Sequence, residues 1–459
     1  MLKKFIGDRA FYRYVMALTM PIMIQNGITH LVNMLDNIMI GSVGTVEMNG
    51  VTIANQLIFV FSLCIFGAVS GAGIFGAQFA GNKDDTGIAH TMRFKLLFCT
   101  LLTAIGIGVF LVWGEPLINL YLQGEGDPAD AVASLAHAKS YLNIVLVGLV
   151  PFTLVQCYGS TLRETGQTTP PMVAGLIAVG VNLIGNYILI FGHFGAPQLG
   201  VNGAAIATVI SRFVELGVLV VWTHTHTQRN PFATILYRSM RIPLRLTGQI
   251  FVRGLPLMAN EAAWSVGMAT LNQQYSLRGL DVVGANNINA TFWNVFSVAF
   301  MAVGIAVGII LGQKLGAGDL EGARKDSRKL IAFSVFISLG TCLLYALFAP
   351  VIPHLYNTSD SIRHLATNLM LVGALAMPID AFAHATYFTL RSGGQAFITF
   401  LFDSCFMWAV NVPLAFLLVH YTTWPIVVVF ALCHLINLLK CALGGWLVHK
   451  GAWIKTIVE

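Results

Sequence analysis

Charge is what this sequence has least of. Only 10% of its 459 residues are Asp, Glu, Lys or Arg, where a soluble globular domain carries about a quarter. That shortage excludes a water-soluble protein, and no stretch is polar enough to form a separate soluble domain. A disulfide framework is missing too. The seven cysteines (Cys64, Cys99, Cys157, Cys342, Cys405, Cys433 and Cys441) are odd in number, lie in apolar runs and form no CxxC pair. They read as small hydrophobes in helices. No phosphate-binding glycine loop, GxSxG elbow or HExxH pair occurs, which argues against an ATP-driven pump and against those enzyme classes. A cleavable leader is also not expected. The apolar run behind Lys3, Lys4, Arg9 and Arg13 is full length and lacks a small-residue cleavage site, so it reads as the first membrane helix.

What the chain has instead is long apolar runs. Hydrophobic residues make up 56% of it, and the mean hydropathy is +0.75. A bilayer crossing takes about 20 mostly apolar residues. Candidates lie near 14–40, 50–79, 92–113, 138–160, 170–192, 201–222, 247–275, 282–310, 328–350, 366–389, 396–419 and 424–446. Continuous runs of this length predict helices, not the short alternating strands of a barrel. The net charge of +6 does not point to nucleic acid, because the basic residues gather in short loops. With the N-terminus placed inside, 22 Lys and Arg fall on inner segments and three on outer ones, with Arg212 inside span six. That bias predicts two cytoplasmic termini.

The chain also repeats itself. A shift of 235 residues lays Pro21 on Pro256, Gly44 on Gly279, Gln78 on Gln313, Gly81 on Gly316 and Asp84 on Asp319. A shift of 228 lays LRETGQ (162–167) on LRSGGQ (390–395). Apolar helices match by chance easily, but two polar, glycine-containing loops at equivalent places do not. Each half has six spans, so the repeats run parallel. The expectation is an all-α integral membrane protein with twelve transmembrane helices in two pseudo-symmetric six-helix bundles. Residues 1–222 form one lobe, 223–246 a basic cytoplasmic linker and 247–459 the other lobe.

Polar residues inside the spans are the candidates for function, since each ionisable one costs about 2.5–3.5 kcal/mol at the bilayer centre. Span one carries Gln25, Asn26, Thr29, His30, Asn33, Asp36 and Asn37. At 100° per residue Asn26, His30, Asn33 and Asn37 share one face, with Gln25, Thr29 and Asp36 along its edge. Such a stripe lines a cavity or packs on another polar helix, and Asp36 needs a partner cation or a proton. Asn182 and Asn186 on span five, and Ala204 and Thr208 on span six, lie one turn apart in each pair. With Asp36 they make a candidate oxygen-lined site for a hard cation such as Na⁺, or for H⁺. In the second half Glu261 takes the place of Asn26, Asp380 lies one turn before His384, and Trp264 and Trp293 are candidate aromatic walls. The alternative for Glu261 is a partnered structural carboxylate, and His384 reads better as a hydrogen-bonded core histidine. Arg212 and Glu215, three apart, read as a pair. His224 and His226 carry no strong metal signal.

Together these features resemble the multidrug and toxic compound extrusion (MATE) family, from about residue 10 to 447. The resemblance rests on PIMIQNGITHLVNMLDNIMIGSVG, GAQFAGNKD, LRETGQTTPPM, NLIGNYILIFG and GVNGAAIATVISR in the first half, and on GLPLMANEAAW, LGQKLGAGD and PIDAFAHATYFTLRSGGQ in the second. It implies two lobes in a V shape that alternate between outward- and inward-facing states, and export of organic, often cationic compounds driven by Na⁺ or H⁺. It also implies that Asp36, Asn182, Ala204 and Thr208 match the family's first-lobe cation site. Asn186 departs from the pattern, standing where members often have a second aspartate, so the site holds one formal charge. Asp380 sits ten residues before the Leu-Arg motif, as the family's span-ten aspartate does. The family's span-seven glutamate falls on Trp264, with Glu261 one turn earlier.

The resulting expectation is a cation-coupled plasma-membrane antiporter, not an enzyme. It has no cofactor beyond the coupling ion, Na⁺ or H⁺, and Na⁺ would bind at Asp36. Its partners are small organic substrates and membrane lipids, with no nucleic acid, and it acts as a monomer. Glu261, Asp380, His384, Trp264, Trp293, Asn33 and His30 are assigned to substrate or a second cation. Two alternatives stand beside it. One is a flippase for lipid-linked or polysaccharide precursors, which calls for a basic cavity. The other is a membrane-embedded enzyme, for which His384 and Asp380 are the closest approach to a catalytic pair.

Overall fold

The computed structural model describes residues 4–122, 128–356 and 358–458. Lys3, and the side chains of Asn37, Thr45 and Pro128, lie outside the described residues. The first six long helices are α1 (Arg9–Gly41), α2 (Thr45–Gly81), α3 (Asp85–Leu122), α4 (Pro128–Glu164), α5 (Thr169–Phe191) and α6 (Val201–Thr225). A short α7 (Pro231–Leu236) follows, then α8 (Leu244–Ser276), α9 (Leu280–Gly316), α10 (Leu320–Phe348) and α11 (Asp360–Ser392). Two broken helices, α12 (Ala396–Tyr421) and α13 (Ile426–Lys450), complete the chain. There is no strand among the described residues. All the long helices except α8 are also apolar enough to cross a membrane. Interior prolines recur in both halves: Pro21 of α1 and Pro256 of α8 coincide at the 235 shift, and Pro151 of α4 and Pro378 of α11 fall within one residue of each other at the 228 shift. Such prolines are tolerated in membrane helices because neighbouring groups satisfy the freed carbonyls.

The repeat is visible in local geometry. After α2 the chain turns through Lys83 at φ 57°, and after α9 through Gly318 at φ 77°. The next residue caps the following helix in both halves. Asp84 Oδ1 accepts from the amides of Thr86 and Gly87, each at 3.0 Å. Asp319 Oδ1 accepts from Gly322 N at 2.8 Å, and that amide, with Lys314 nearby, holds the Asp319 carboxyl below the ordinary carboxylate range. These bonds satisfy amides that a helix start leaves without partners.

Two compact units emerge, and they do not follow chain order. The first comprises Ile24–Gly76 and Asp84–Ile250; the second comprises the chain up to Met23, Ala77–Lys83 and everything from Phe251 on. The start of α1 and the last turn of α2 thus belong to the unit built from the second repeat. Inside that unit the ends of α2 and α9 cross through glycine. A Cβ on Gly81 would lie 1.8 Å from the Gln313 carbonyl oxygen, and one on Gly316 would lie 1.8 Å from that of Gln78. The C-terminal stretch seals the crossing. Gln78 donates to the carbonyls of Ser392 (3.1 Å) and Lys455 (3.2 Å) and accepts from Ile457 N at 2.8 Å, while Trp453 is fully buried.

In the first unit, part of the basic stretch 223–246 is docked rather than loose. α6 runs on to Thr225, and α7 buries Phe232, Ala233 and Leu236. Arg93 of α3 caps the far end of α7, donating to Leu236 O at 2.8 Å, to Arg241 O at 3.3 Å and to Ile235 O.

Candidate functional site

In the first unit α1, α5 and α6 bring four of the expected side chains together. Asn186 Nδ2 donates to Asp36 Oδ1 at 2.7 Å and to Asn182 Oδ1 at 3.3 Å. Asn182 Nδ2 donates to Thr208 Oγ1 at 3.3 Å. Turned by 180°, the Asn182 amide instead donates to both Asp36 oxygens at 3.2 Å and accepts from Thr208. The hydrogen-bond network decides between the two orientations of such an amide, and here it favours the second, in which Asn182 gives Asp36 a donor and Thr208 an acceptor. Asn186 Oδ1 is buried and has no hydrogen-bond partner. A buried acceptor left bare costs about 1–3 kcal/mol, a cost that a proton donor or a cation removes.

A cavity of about 350 Å³ opens beside this cluster, lined by Asp36, Asn186, Ala204, Thr208 and Asn33. His30 is exposed on α1 and is not in that lining. Sequence reasoning did not assign Tyr141 and Asn55, which also line the cavity and approach each other at 3.5 Å (Tyr141 Oη to Asn55 Oδ1). Arg212 reaches the cavity, but its guanidinium pairs with Glu215 at 3.2 Å, as the i,i+3 spacing led one to expect. Asp36 forms no ion pair among the described residues. One carboxylate, two amides and a hydroxyl is a donor set that fits a hard cation or a proton.

The second unit is organised differently. Glu261 Oε1 accepts from the Tyr387 hydroxyl at 3.1 Å. Asn260 Nδ2 bridges that hydroxyl (3.3 Å) to Asp403 Oδ2 (3.1 Å), and Lys440 Nζ closes the chain on Asp403 Oδ1 at 2.5 Å. The Arg391 guanidinium lies over the Tyr387 ring at 6.0 Å and the Phe388 ring at 5.3 Å. Asp380 is not a link in this chain, although Lys440 and His434 are its electrostatic neighbours. His384 packs against Gly304, where a Cβ would lie 2.3 Å from its Cδ2, with Phe300 and Phe388 beside it. It is half-buried among apolar groups. Trp293 packs edge-on to Phe300 at 6.2 Å, and Trp264 is half-buried.

Asp403 and Lys440 are the residues that sequence reasoning missed. Each lies inside an apolar run, 396–419 and 424–446. An acid and a base, each isolated in a different span, was the available signal. Lys95 was missed in the same way. It lies ten residues into α3, fully buried, and pairs with Glu164 of α4 at 2.6 Å.

A helical, multi-pass membrane protein with ionisable groups satisfied inside each of two units is a solute transporter in plan. Comparisons place it more narrowly. The MatE family profile matches residues 21–188 and 256–417. The chain is similar to a probable multidrug resistance protein NorM of Thermotoga maritima, at 25% identity over 88% of this chain and 85% of that one. It is likewise similar to the multidrug resistance protein NorM of Aliivibrio fischeri, at 26% identity over 89% and 86%. Among solved structures it resembles a multidrug resistance MATE family transporter in an outward-facing conformation, with a TM-score of 0.85 at 19% identity over 98% of both chains. A Pyrococcus furiosus MOP superfamily transporter, described as having a binding pocket of reverse polarity, scores 0.84 at 18% identity over 98% of both chains. This chain belongs to the MatE family, the multidrug and toxic compound extrusion transporters.

Proposed function

We propose that this protein is a cation-coupled antiporter of the plasma membrane that exports organic, cationic compounds, drugs among them, in exchange for Na⁺ or H⁺. The observation that carries the reading is Asp36. It is the one carboxylate of its cavity without an ion-pair partner among the described residues, and it is flanked by the amides of Asn182 and Asn186, the latter with a bare oxygen. Loading Asp36 with a cation from outside neutralises a charge held within the membrane. That can only shift the balance between two conformations by as much as the ion prefers one of them. If net charge moves inward, the membrane potential adds about 2.3 kcal/mol per charge per 100 mV.

The names of the relatives, multidrug resistance proteins, support drugs as cargo. Glu261 and Asp380 add negative charge to the second unit, which suits a cationic cargo better than an anionic one. A flippase for phosphate-bearing precursors would need spare positive charge, and Arg212 is engaged by Glu215. The Lys and Arg bias supports cytoplasmic termini. The test is ethidium efflux from cells expressing Asp36→Asn at wild-type levels. Efflux should fall to the empty-vector background, and wild-type efflux would sink the role of Asp36. Vesicles with pH and Na⁺ gradients imposed separately then identify the ion.

A further inference from the structure

The second unit keeps its acidic chain neutral with its own residues. Lys440 Nζ holds Asp403 Oδ1 at 2.5 Å and lies over the Phe402 ring at 5.2 Å. Both pair members are largely buried, at 14% and 16% side-chain exposure. A carboxylate and an aromatic face are what a membrane protein offers an alkylammonium ion. The backbone is shaped around this pair. Leu401–Cys405 and Met407–Asn411 form π-helical turns, a deviation from α geometry that helices rarely make. The loosened turn lets Ser404 donate its amide to Asn260 Oδ1 at 3.3 Å and its hydroxyl to the same oxygen at 2.7 Å. Asn260, only 1% exposed, is thereby locked with its Nδ2 on Asp403 and Tyr387. Four helices, α8, α11, α12 and α13, contribute to the chain. Asp36 of the first unit has no ion-pair partner among the described residues, and the Arg212 guanidinium of its cavity is held by Glu215.

We propose that Lys440 is a resident cation. Its ammonium fills, on Asp403, the place that a free coupling ion would otherwise take, so the ion of the transport cycle loads in the first unit alone. Lys440 is thus a specificity-determining residue for ion stoichiometry. The proposal rests on the cation-coupled reading above. It predicts a gain rather than a loss. Removing the ammonium leaves Asp403 and Glu261 joined by neutral groups, with Arg391 still beside Tyr387; two acids then face one cation, and the chain should take up another from solution.

The experiment uses purified full-length protein in detergent, with melting temperature followed against NaCl at fixed pH and against pH at fixed Na⁺. Choline chloride controls for ionic strength. The background is Asp36→Asn, which removes the first-unit site whether or not transport is coupled there. Asp36→Asn alone should show no saturable cation response. Adding Lys440→Gln should create one, a rise of roughly a few degrees at about 100 times the dissociation constant. Adding Lys440→Arg should not, and adding Asp403→Asn to Lys440→Gln should abolish the gain. Three outcomes would overturn the proposal. In the first, folded Asp36→Asn/Lys440→Gln shows no response. In the second, Asp36→Asn alone shows a response that Asp403→Asn removes. In the third, the gained response survives Asp403→Asn. Should Lys440→Gln not fold in that background, cation dependence of efflux in cells takes its place. There the Hill slope of Lys440→Gln should rise above that of wild type and Lys440→Arg, and an unchanged slope refutes the idea. Failure of the Asp36 reading is seen separately, as unimpaired efflux by Asp36→Asn.

Discussion

The two repeats share a backbone and put their charges at different levels of it. Asp36 of α1 corresponds to Leu271 of α8, and Asn182 and Asn186 of α5 correspond to Val410 and Leu414 of α12. Leu271 and Leu414 pack into the core of the second unit. Conversely, Glu261 and Asp403 fall on Asn26 and Gly175. Gln25, the counterpart of Asn260, there approaches Gly175, its Nε2 3.1 Å from where a Cβ would sit. Asn260 makes the same helix contact but finds a carboxylate. The level of Asp36 and that of Glu261 differ by ten residues in the shared frame, about 15 Å of helix. A duplicated scaffold therefore does not require duplicated sites. One half leaves a carboxylate exposed to a cavity, and the other places its acids deeper in the frame with two cations of its own beside them.

At a third level the first half carries a buried ion pair that the second half lacks at the equivalent positions. Lys95, Ser160 and Glu164 form a buried knot, with Lys95 Nζ 2.8 Å from Ser160 Oγ and 2.6 Å from Glu164 Oε2. The carboxylate fits because α2 has glycine there, a Cβ on Gly76 falling 2.1 Å from Glu164 Oε2. The second half has Leu330, Phe388 and Ser392 at the equivalent positions, all buried. The largest stability effect should come from breaking this contrast. Lys95→Met strands a buried carboxylate and should cost about 3–5 kcal/mol, while Lys95→Met/Glu164→Gln should recover most of it. The melting temperature of the purified variants reads both. If the single variant is as stable as wild type, Glu164 has another source of compensation and the knot is not an ion pair in effect.

How much of this was legible in the sequence follows from the kind of signal each feature gives. Spans and repeat were legible, because a bilayer imposes long apolar runs and the caps and turns between them use residues with few substitutes. Asp36 was legible as the ionisable group on the polar stripe of α1, and Asn182, Asn186 and Thr208 through the one-turn spacing of the pairs Asn182/Asn186 and Ala204/Thr208. His30 shares that face with Asn33 but lies outside the cavity, since a stripe says which side of a helix is polar and not how far the cavity extends. Lys95, Asp403 and Lys440 were hidden for the opposite reason. A lone charge near the end of an apolar run looks like a loop residue, and only the partner from a distant span reveals it as interior. The assignment of the start of α1 and the end of α2 to the second unit was also out of reach, because a glycine crossing is a contact between backbones and leaves no pattern of side chains.

That crossing gives a smaller, symmetric prediction. Gly81 and Gly316 each abut the other helix's carbonyl at the same 1.8 Å from an added Cβ. Backbone cannot swing aside as a side-chain end can. Gly81→Ala and Gly316→Ala should each cost about 1–3 kcal/mol, the range for overpacking, and by similar amounts. Melting curves of the two variants check it. A penalty at only one position would show that the reciprocity is an accident of spacing and not a working symmetry.

The smallest effect is expected two residues beyond, and its sign is opposite. The same turn is made by Lys83 at φ 57° in the first half and by Gly318 at φ 77° in the second. A left-handed conformation costs a residue with a Cβ about 1–2 kcal/mol, and glycine adopts it freely but loses more chain entropy on folding. The two terms partly cancel, so Lys83→Gly should stabilise by about 0.5–1 kcal/mol. The converse, Gly318→Lys, should destabilise by a similar amount, since nothing lies within 4 Å of an added Cβ there and only the backbone conformation opposes it. Measured together by thermal melting, the pair separates conformation from contact. Equal and opposite shifts mean that the two turns are interchangeable parts of one repeat. A loss on Lys83→Gly would mean instead that the Lys83 side chain contributes an interaction the second half has no need of.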